Sequence, residues 1–281
     1  MKVKLVRLSF IFFTTILTLV VTSTAQERIA ILTPENDELS DSIIAKLEAA
    51  LSINYKIIDS SLAKSALKAQ NFENPFNLSL QQAKNLGNAI GCNFYVLIKA
   101  ESINRTSLEK GTYVETYAAF FLVSSRTGRL LSWHLLKAEA QNEDKSTEKF
   151  FSMLDKFLTR FVTEIQSAGA YDLKMQVVVK FPEFNESIQV RPPMPYRRIT
   201  PEYPEIARAY LIAATIDAAV DIDEKGNVVN IEILRWAGFG LEEAVIKAIR
   251  AMNWRPGEMN KKTLPLRILL RYNFKKTKDE D

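Results

Sequence analysis

The chain is poor in the residues that chemistry most often uses. Its 281 residues include one cysteine and one histidine. Cys92 cannot close an intrachain disulfide, and neither residue has the Cys or His companions of a zinc site. Cys92 stands in "AIGCNFYVLI", at the entry to an apolar strand, where a small buried hydrophobe is expected. His134, in "LLSWHLLKAEA", has no Ser or Cys nucleophile placed beside it by any motif. No catalytic residue, metal or cofactor is therefore expected. An excess of charge is also missing. The net charge is +4, and Lys2, Lys4 and Arg7 lie in a segment read below as removed, which leaves 34 basic against 33 acidic groups. That balance offers no electrostatic footprint for nucleic acid. What remains, 47% hydrophobic and 25% charged, is the composition of a folded globular chain.

The N-terminus has a basic start, an apolar run over Leu8–Val21 and the small-residue segment Thr22-Ser23-Thr24-Ala25. This is the layout of a secretory signal peptide over residues 1–25, with cleavage before Gln26. A run of 14 residues is short for a membrane span, which needs about 20. Counted through Ala25 the segment approaches that length, so an uncleaved anchor stays open as the rival. Membrane contact is expected only in that case. Either way the remainder is exported.

From Gln26 to about Ser167 strands and helices alternate. "RIAIL" (Arg28–Leu32) and "YKIIDS" (Tyr55–Ser60) read as strands, with helices near 41–51, 61–70 and 79–90, the last capped by Ser79. "NFYVLIKAESI", "TYVETYAAFFLV" and "LLSWHLLKAEA" are further strands, the last two joined by the turn "SSRTGR". A helix over about 146–166 closes the unit with a stripe of Phe150, Phe151, Leu154, Phe157, Leu158, Phe161, Val162 and Ile165. The order predicts an N-terminal mixed sheet with helices against it. Its first strand, "YKIIDSSLAKSALKAQ", "AKNLGNAIGCNFYVLIKAES" and "SSRTGRLLSWH" resemble the α/β domain of the TolB N-terminal region, CsgG and the LpoB-type activators. That resemblance implies a non-catalytic domain for protein contacts in the bacterial envelope. It carries no functional residue.

Residues 168–195 read as a connector, with a possible strand at Met175–Phe181 and a stiff extended piece at Pro192, Pro193 and Pro195. Beyond it, Pro204 fits the first turn of a short helix. "ATIDAAVDID" alternates, with Ile216, Ala218, Val220 and Ile222 on one face and Asp217, Asp221 and Asp223 on the other. "EKGN" is a turn with Gly226 at positive φ, and "VVNIEIL" returns as its partner strand. "GLEEAVIKAIRAM" is an amphipathic helix, "NWRPGEMNKKT" a polar loop and "LPLRILLRYNF" a final strand, followed by a charged tail over 276–281.

This α-β-β-α-β order over about 196–275 closely resembles the TonB C-terminal domain. The matching positions are Pro201, Tyr203, Pro204, Ala207, Gly226, Leu241, Ala244, Trp254 and Pro256. The fold class expected is thus α+β in two domains, 26–167 and 196–275. The resemblance implies a module that adds a partner's extended segment to a sheet edge in the periplasm of a Gram-negative-type bacterium. The candidate edge is Leu266, Arg267, Ile268, Leu269, Leu270 and Arg271. There Arg267 and Arg271 either flank an acidic or polar partner or only keep the edge soluble. The chain departs from the family at Ala213-Ala214, where a Gly is usual, and at Met252 and Trp254. Its apolar N-terminal segment has no His, and a folded domain stands where a transducer has a long Pro-rich spacer. A non-enzymatic binding protein with an envelope or outer-membrane partner is the leading reading. An inner-membrane TonB-like energy transducer to outer-membrane transporters, and a periplasmic enzyme, are its alternatives. Asn-x-Ser/Thr triplets at Asn77, Asn104 and Asn185 are read as chance in a bacterial chain.

The signal-peptide reading is checked by mass spectrometry of the exported protein. A mature chain starting at Gln26 is the expected outcome, whereas a full-length chain in the inner membrane supports the anchor.

Overall fold

A computed structural model describes residues 26–174, 181–183 and 190–275 of the chain. The expected signal peptide, nearly all of the strand anticipated at Met175–Phe181, the Asn185 triplet and the charged tail lie outside these residues. The N-terminal part contains β1 (Arg28–Leu32), α1 (Glu38–Leu51), β2 (Lys56–Ile57), α2 (Ser60–Ala69), α3 (Leu80–Ile90), β3 (Phe94–Ser107), β4 (Gly111–Ser124), β5 (Leu130–Ala140) and α4 (Glu143–Lys174). The C-terminal part contains β6 (Met194–Pro195), α5 (Glu205–Ala209), β7 (Ala214–Ile222), β8 (Val228–Arg235), α6 (Leu241–Ala251), β9 (Trp254–Arg255), β10 (Gly257–Met259), β11 (Lys262–Leu264) and β12 (Leu266–Phe274).

The first sheet has the order β2-β1-β3-β4-β5; β1 runs parallel to β2 and β3, and β3, β4 and β5 are antiparallel. It is the mixed sheet that the alternation of elements implied. Local signals set its helix ends. Asp37 caps α1 by accepting the Ser40 N–H at 2.8 Å, which starts that helix earlier than its apolar spacing suggests. Asp59 accepts the N–H groups of Ser61 and Leu62, ending β2 early and opening α2. Ser79 and Gln82 form a reciprocal capping box on α3, which Gly91 ends in the left-handed conformation. The closing helix α4 does not stop near Gln166 but continues to Lys174, so the boundary expected at 167–168 falls inside it.

Both faces of the first sheet are buried. Ile29, Ile31, Phe94, Val96, Phe120 and Leu122 point into a core shared with α1 and α4. Their neighbours Ala30, Leu32, Tyr95, Leu97, Phe121 and Val123 point the other way, toward α2 and α3. Burial on both sides explains why "YAAFFLV" reads as an unbroken apolar run and not as an alternation.

The second sheet has the order β12-β7-β8, all antiparallel, with α6 against one face through Val245, Ala248 and Ile249. Its turn holds Gly226 at φ 86°, where an added Cβ would stand 2.2 Å from the Trp254 carbonyl oxygen. The expected short helix is trimmed to α5, since Leu211 takes φ 52° and Ile212 N–H closes back on the Ala207 carbonyl. The expected polar loop after α6 instead contains β9, paired with β6, and the hairpin β10-β11.

The two parts are joined through one continuous hydrophobic core. The segment Trp236–Gly240 between β8 and α6 lies against the free face of the first sheet. Trp236, 1% exposed, donates its indole N–H to the Gly128 carbonyl at 3.0 Å and lies 6.1 Å from the Phe121 ring. Phe239 stacks on Trp133 at 5.2 Å. Polar ties frame this contact. The Asn77 amide donates to the carbonyls of Thr215 and Trp236, and its oxygen accepts the Thr215 N–H. Arg235 donates to the Asn77 carbonyl at 2.8 Å, and the Tyr210 hydroxyl donates to Glu115 at 2.9 Å. Asn77, noted in the sequence only for its triplet, thus ties the two parts together.

Trp236→Ala removes a fully buried indole and leaves the Gly128 carbonyl without its donor. A loss of about 3–5 kcal/mol in unfolding free energy by urea titration is expected. A loss under about 1 kcal/mol would show that the contact does not hold the two parts together.

Candidate functional site

The residues named as the candidate edge fall in β12. Among the described residues β7 is the one strand of the second sheet paired with β12, which forms a margin of that sheet. Arg267 N–H donates outward to the Pro182 carbonyl at 2.8 Å, and Glu183 bridges Arg267 in parallel, so the first residues of this margin are already engaged. Antiparallel alternation then turns the backbone groups of Leu269, Arg271 and Asn273 outward, while Leu266, Ile268, Leu270, Tyr272 and Phe274 bond to β7. Of the six candidate edge residues, Leu269 and Arg271 therefore present their backbone to a newcomer.

A groove of about 620 Å³ runs beside this margin. Residues Arg267 to Tyr272 form one wall, and the opposite wall comes from Pro192–Pro195 and Arg198–Pro201. Pairing of β6 with β9, and of Arg191 with Glu258, holds the proline wall in place. Prolines have no N–H to compete for a guest's carbonyls. Met252 and Trp254 form the base, and Leu269, at 62% exposure, stands beside it.

The motif residues divide by role. Tyr203 donates its hydroxyl to the Ile212 carbonyl at 2.7 Å and packs on Phe274. Ala207 and Leu241 are buried, Ala244 partly so, and Pro204 caps the start of α5. Pro256 adjoins β9, near the Gly226 turn. These residues build the module. Pro201 and Trp254 also reach the groove.

Arg267 corrects the expectation that both arginines flank a partner. It is 2% exposed and makes a two-pronged pair with Asp221 at 2.8 and 2.7 Å. Its third nitrogen donates to Glu232 at 2.8 Å, and the other Glu232 oxygen accepts from Arg129 at 2.8 Å. Arg267 is thus committed inside the protein. Arg271 pairs with Asp217 but stays exposed, and Asp217 also accepts from Arg235. The register explains both pairs, because antiparallel pairing sets Arg267 opposite Asp221 and Arg271 opposite Asp217. The signal was present in the sequence as two acids and two arginines with the same four-residue spacing. Burial pushes the Asp221 carboxyl up, but hydrogen bonds from Arg267 and Asn230 outweigh it and hold it below the usual aspartate range. The Asp221 hydrogen bond is the main reason the Arg267 guanidinium is held above its ordinary value.

The lone residues weighed as chemistry have structural partners. His134 Nε2 lies 2.9 Å from Glu164 and edge-on to Phe157 and Phe161. Cys92 is buried, 3.3 Å from the Ser125 hydroxyl, and burial pushes its thiol up. Among the described residues no group of three or more His, Cys, Asp or Glu side chains is arranged to hold a metal, and no helix is long and apolar enough to cross a membrane.

The fold and groove together define a small helix-backed antiparallel sheet with one partly open strand edge. Residues 199–275 match the family model of the Gram-negative bacterial TonB protein C-terminal, so the resemblance drawn from the motifs holds for this part of the chain. No match was found among curated proteins. Similar solved structures include the solution structure of the Pseudomonas aeruginosa TonB C-terminal domain, at 21% identity over 36% of this chain and 98% of that one, TM-score 0.29. Another is lipoprotein GNA1162 from Neisseria meningitidis, at 16% identity over 50% and 99% of the two chains, TM-score 0.32. The LpoB C-terminal domain from Salmonella enterica is similar at 12% identity over 43% and 87%, TM-score 0.26.

Arg267→Ala leaves the buried Asp221 carboxylate without its arginine and removes one of the arginines on Glu232, which keeps Arg129, and is expected to cost about 3–5 kcal/mol at neutral pH in urea titrations. Asp221, with its lowered pKa, contributes stability above the ordinary aspartate value of 3.8 and loses it as pH falls through its folded value. The gap between wild type and variant therefore narrows below about pH 4. A gap constant from pH 7 to 3 would contradict this role.

Proposed function

We propose that this chain is a non-enzymatic protein of the bacterial cell envelope, working in the periplasm, that holds an extended segment of a partner protein as an added strand beside β12. One observation carries the reading. The outward backbone of Leu269 and Arg271 borders a groove whose far wall includes Pro192, Pro193, Pro195 and Pro201. A guest strand there gains main-chain hydrogen bonds, and its side chains alternate between the groove base and solvent. The family match of residues 199–275 supports the same reading. The partner is an envelope or outer-membrane protein with a segment free to extend. Arg271 gives its flank a charged neighbour, while Arg267 contributes by holding the edge in shape. The N-terminal part supplies a rigid mount through the shared core.

A proline tests this without unfolding the module. Leu269→Pro removes an N–H that faces the groove and none that bonds to β7, a position where an edge strand tolerates proline. With a photoreactive side chain at Arg271 in the full chain, expressed in its own bacterium, a discrete crosslinked envelope protein is expected. Leu269→Pro lowers its yield at least about tenfold, as loss of a buried-edge hydrogen bond and the ring's bulk imply, with an unchanged melting curve. Undiminished crosslinking in the proline variant, or none in wild type, would overturn the reading.

A further inference from the structure

The first sheet reverses its winding at β1. From β1 the chain crosses by α1 to β2 on one side, and from β2 it returns by α2 and α3 to β3 on the other. α1 packs on one face of the sheet, α2 and α3 on the opposite face. The segments leaving the carboxyl ends of β1 and β2 therefore diverge to opposite faces, and a crevice opens between them. Where parallel strands reverse their winding in this way, such a crevice is the usual seat of a ligand. Here it contains a cavity of about 260 Å³, between Thr33-Pro34, just past β1, and the side of α2. The cavity shares no lining residue with the β12 groove.

Pro34, Leu67, Phe72 and Pro75 give it apolar walls. Asn71 takes φ 47° and turns the chain after α2, which brings Phe72 and Pro75 into the lining. The charged groups in that lining are Lys64 and Lys68, one helical turn apart, and no carboxylate is among the described lining residues. Lys68, exposed in the last turn of α2, has no ion-pair partner among the described residues. Lys64 meets Asp41 at 3.2 Å, but that carboxylate is 64% exposed, and such a surface pair holds its lysine weakly. The Thr33 hydroxyl is committed, since it donates to Glu35 at 2.8 Å and accepts the Glu35 N–H. Burial raises the Glu35 carboxyl above its ordinary value, which lessens its charge beside the crevice.

We propose that this crevice binds a small organic carboxylate with a compact apolar body, its oxygens held by Lys64, Lys68 and the Asn71 amide and its body against Phe72 and the two prolines. A carboxylate is acceptor-only, and two ammonium groups and an amide N–H₂ are the donors it needs. A cation would meet two lysines, and a neutral guest would forgo both charges. The apolar walls favour an anion that carries a hydrocarbon body over a bare inorganic one. The volume stands near the lower limit of small-molecule pockets, roughly 300 Å³, which excludes guests the size of a nucleotide or lipid.

The probe is benzoate, with benzamide as its neutral counterpart and inorganic phosphate as an anion without the body. Each is titrated into a chain spanning residues 26–281 and followed by backbone amide signals in NMR. Saturable shifts of Leu67, Asn71 and Phe72 by benzoate are expected, with Leu269, in the other groove, as a reference that stays still. Benzamide and phosphate bind at least about tenfold more weakly. Lys68→Gln, a change at an exposed side chain, weakens benzoate roughly threefold with an unchanged melting curve, and Lys64→Gln combined with it abolishes saturation. No saturation by benzoate, equal binding of benzamide or phosphate, wild-type affinity in Lys68→Gln, or shifts confined to Leu269 would each overturn the proposal.

Discussion

A sheet that is apolar on both faces must be covered on both, and this constraint organises the molecule. α1 and α4 cover one face of the five-stranded sheet. On the other, α2 and α3 leave Phe121 and its neighbours in need of a further partner, which the C-terminal part supplies through Trp236 and Phe239. The approach is close enough that a Cβ on Gly238 would stand 2.8 Å from the Phe121 ring, and that residue sits at φ 71°. The C-terminal module is therefore part of the first sheet's core, not a bead on a tether.

The same contact fixes where the β12 edge points. From Arg129 at the β4–β5 turn, ion pairs run through Glu232 and Arg267 to Asp221 beneath the edge strand. Such buried pairs add little net stability compared with apolar packing, but they are strict about geometry. They set the register of β12 against β7 and β8, and with it which backbone groups face the groove. Holding an edge open carries a risk of unwanted pairing. Pro182 and Glu183 occupy its first position, and the proline wall narrows access to the rest.

Much of this was legible in the residues. The alternation of "ATIDAAVDID", the cap at Ser79 and the turn at Gly226 each carry a local physical cause, and each element formed as that cause requires. The last strand was legible too, because order and spacing indicate a hairpin, a helix and a return strand, whereas its place at a margin was only implied by the resemblance. Tertiary pairings were harder to read. Arg267 looked like a surface charge because its partners lie 46 and 35 residues away and only register brings them together. Asn77 looked like a loop residue, and its use depends on a surface made by another part of the chain. Pro192–Pro195 read as a spacer because their role as a wall comes from pairing with residues after α6.

The central claim is that one shared core makes both sheets a single body that presents the β12 edge in a fixed direction. Nitrogen-15 relaxation of a chain spanning residues 26–281 tests it most directly. Amides in β3, β4 and β5 and those in β7, β8 and β12 are expected to share one rotational correlation time. A shorter time for the β7, β8 and β12 amides, as for a small unit tumbling on its own, would contradict it.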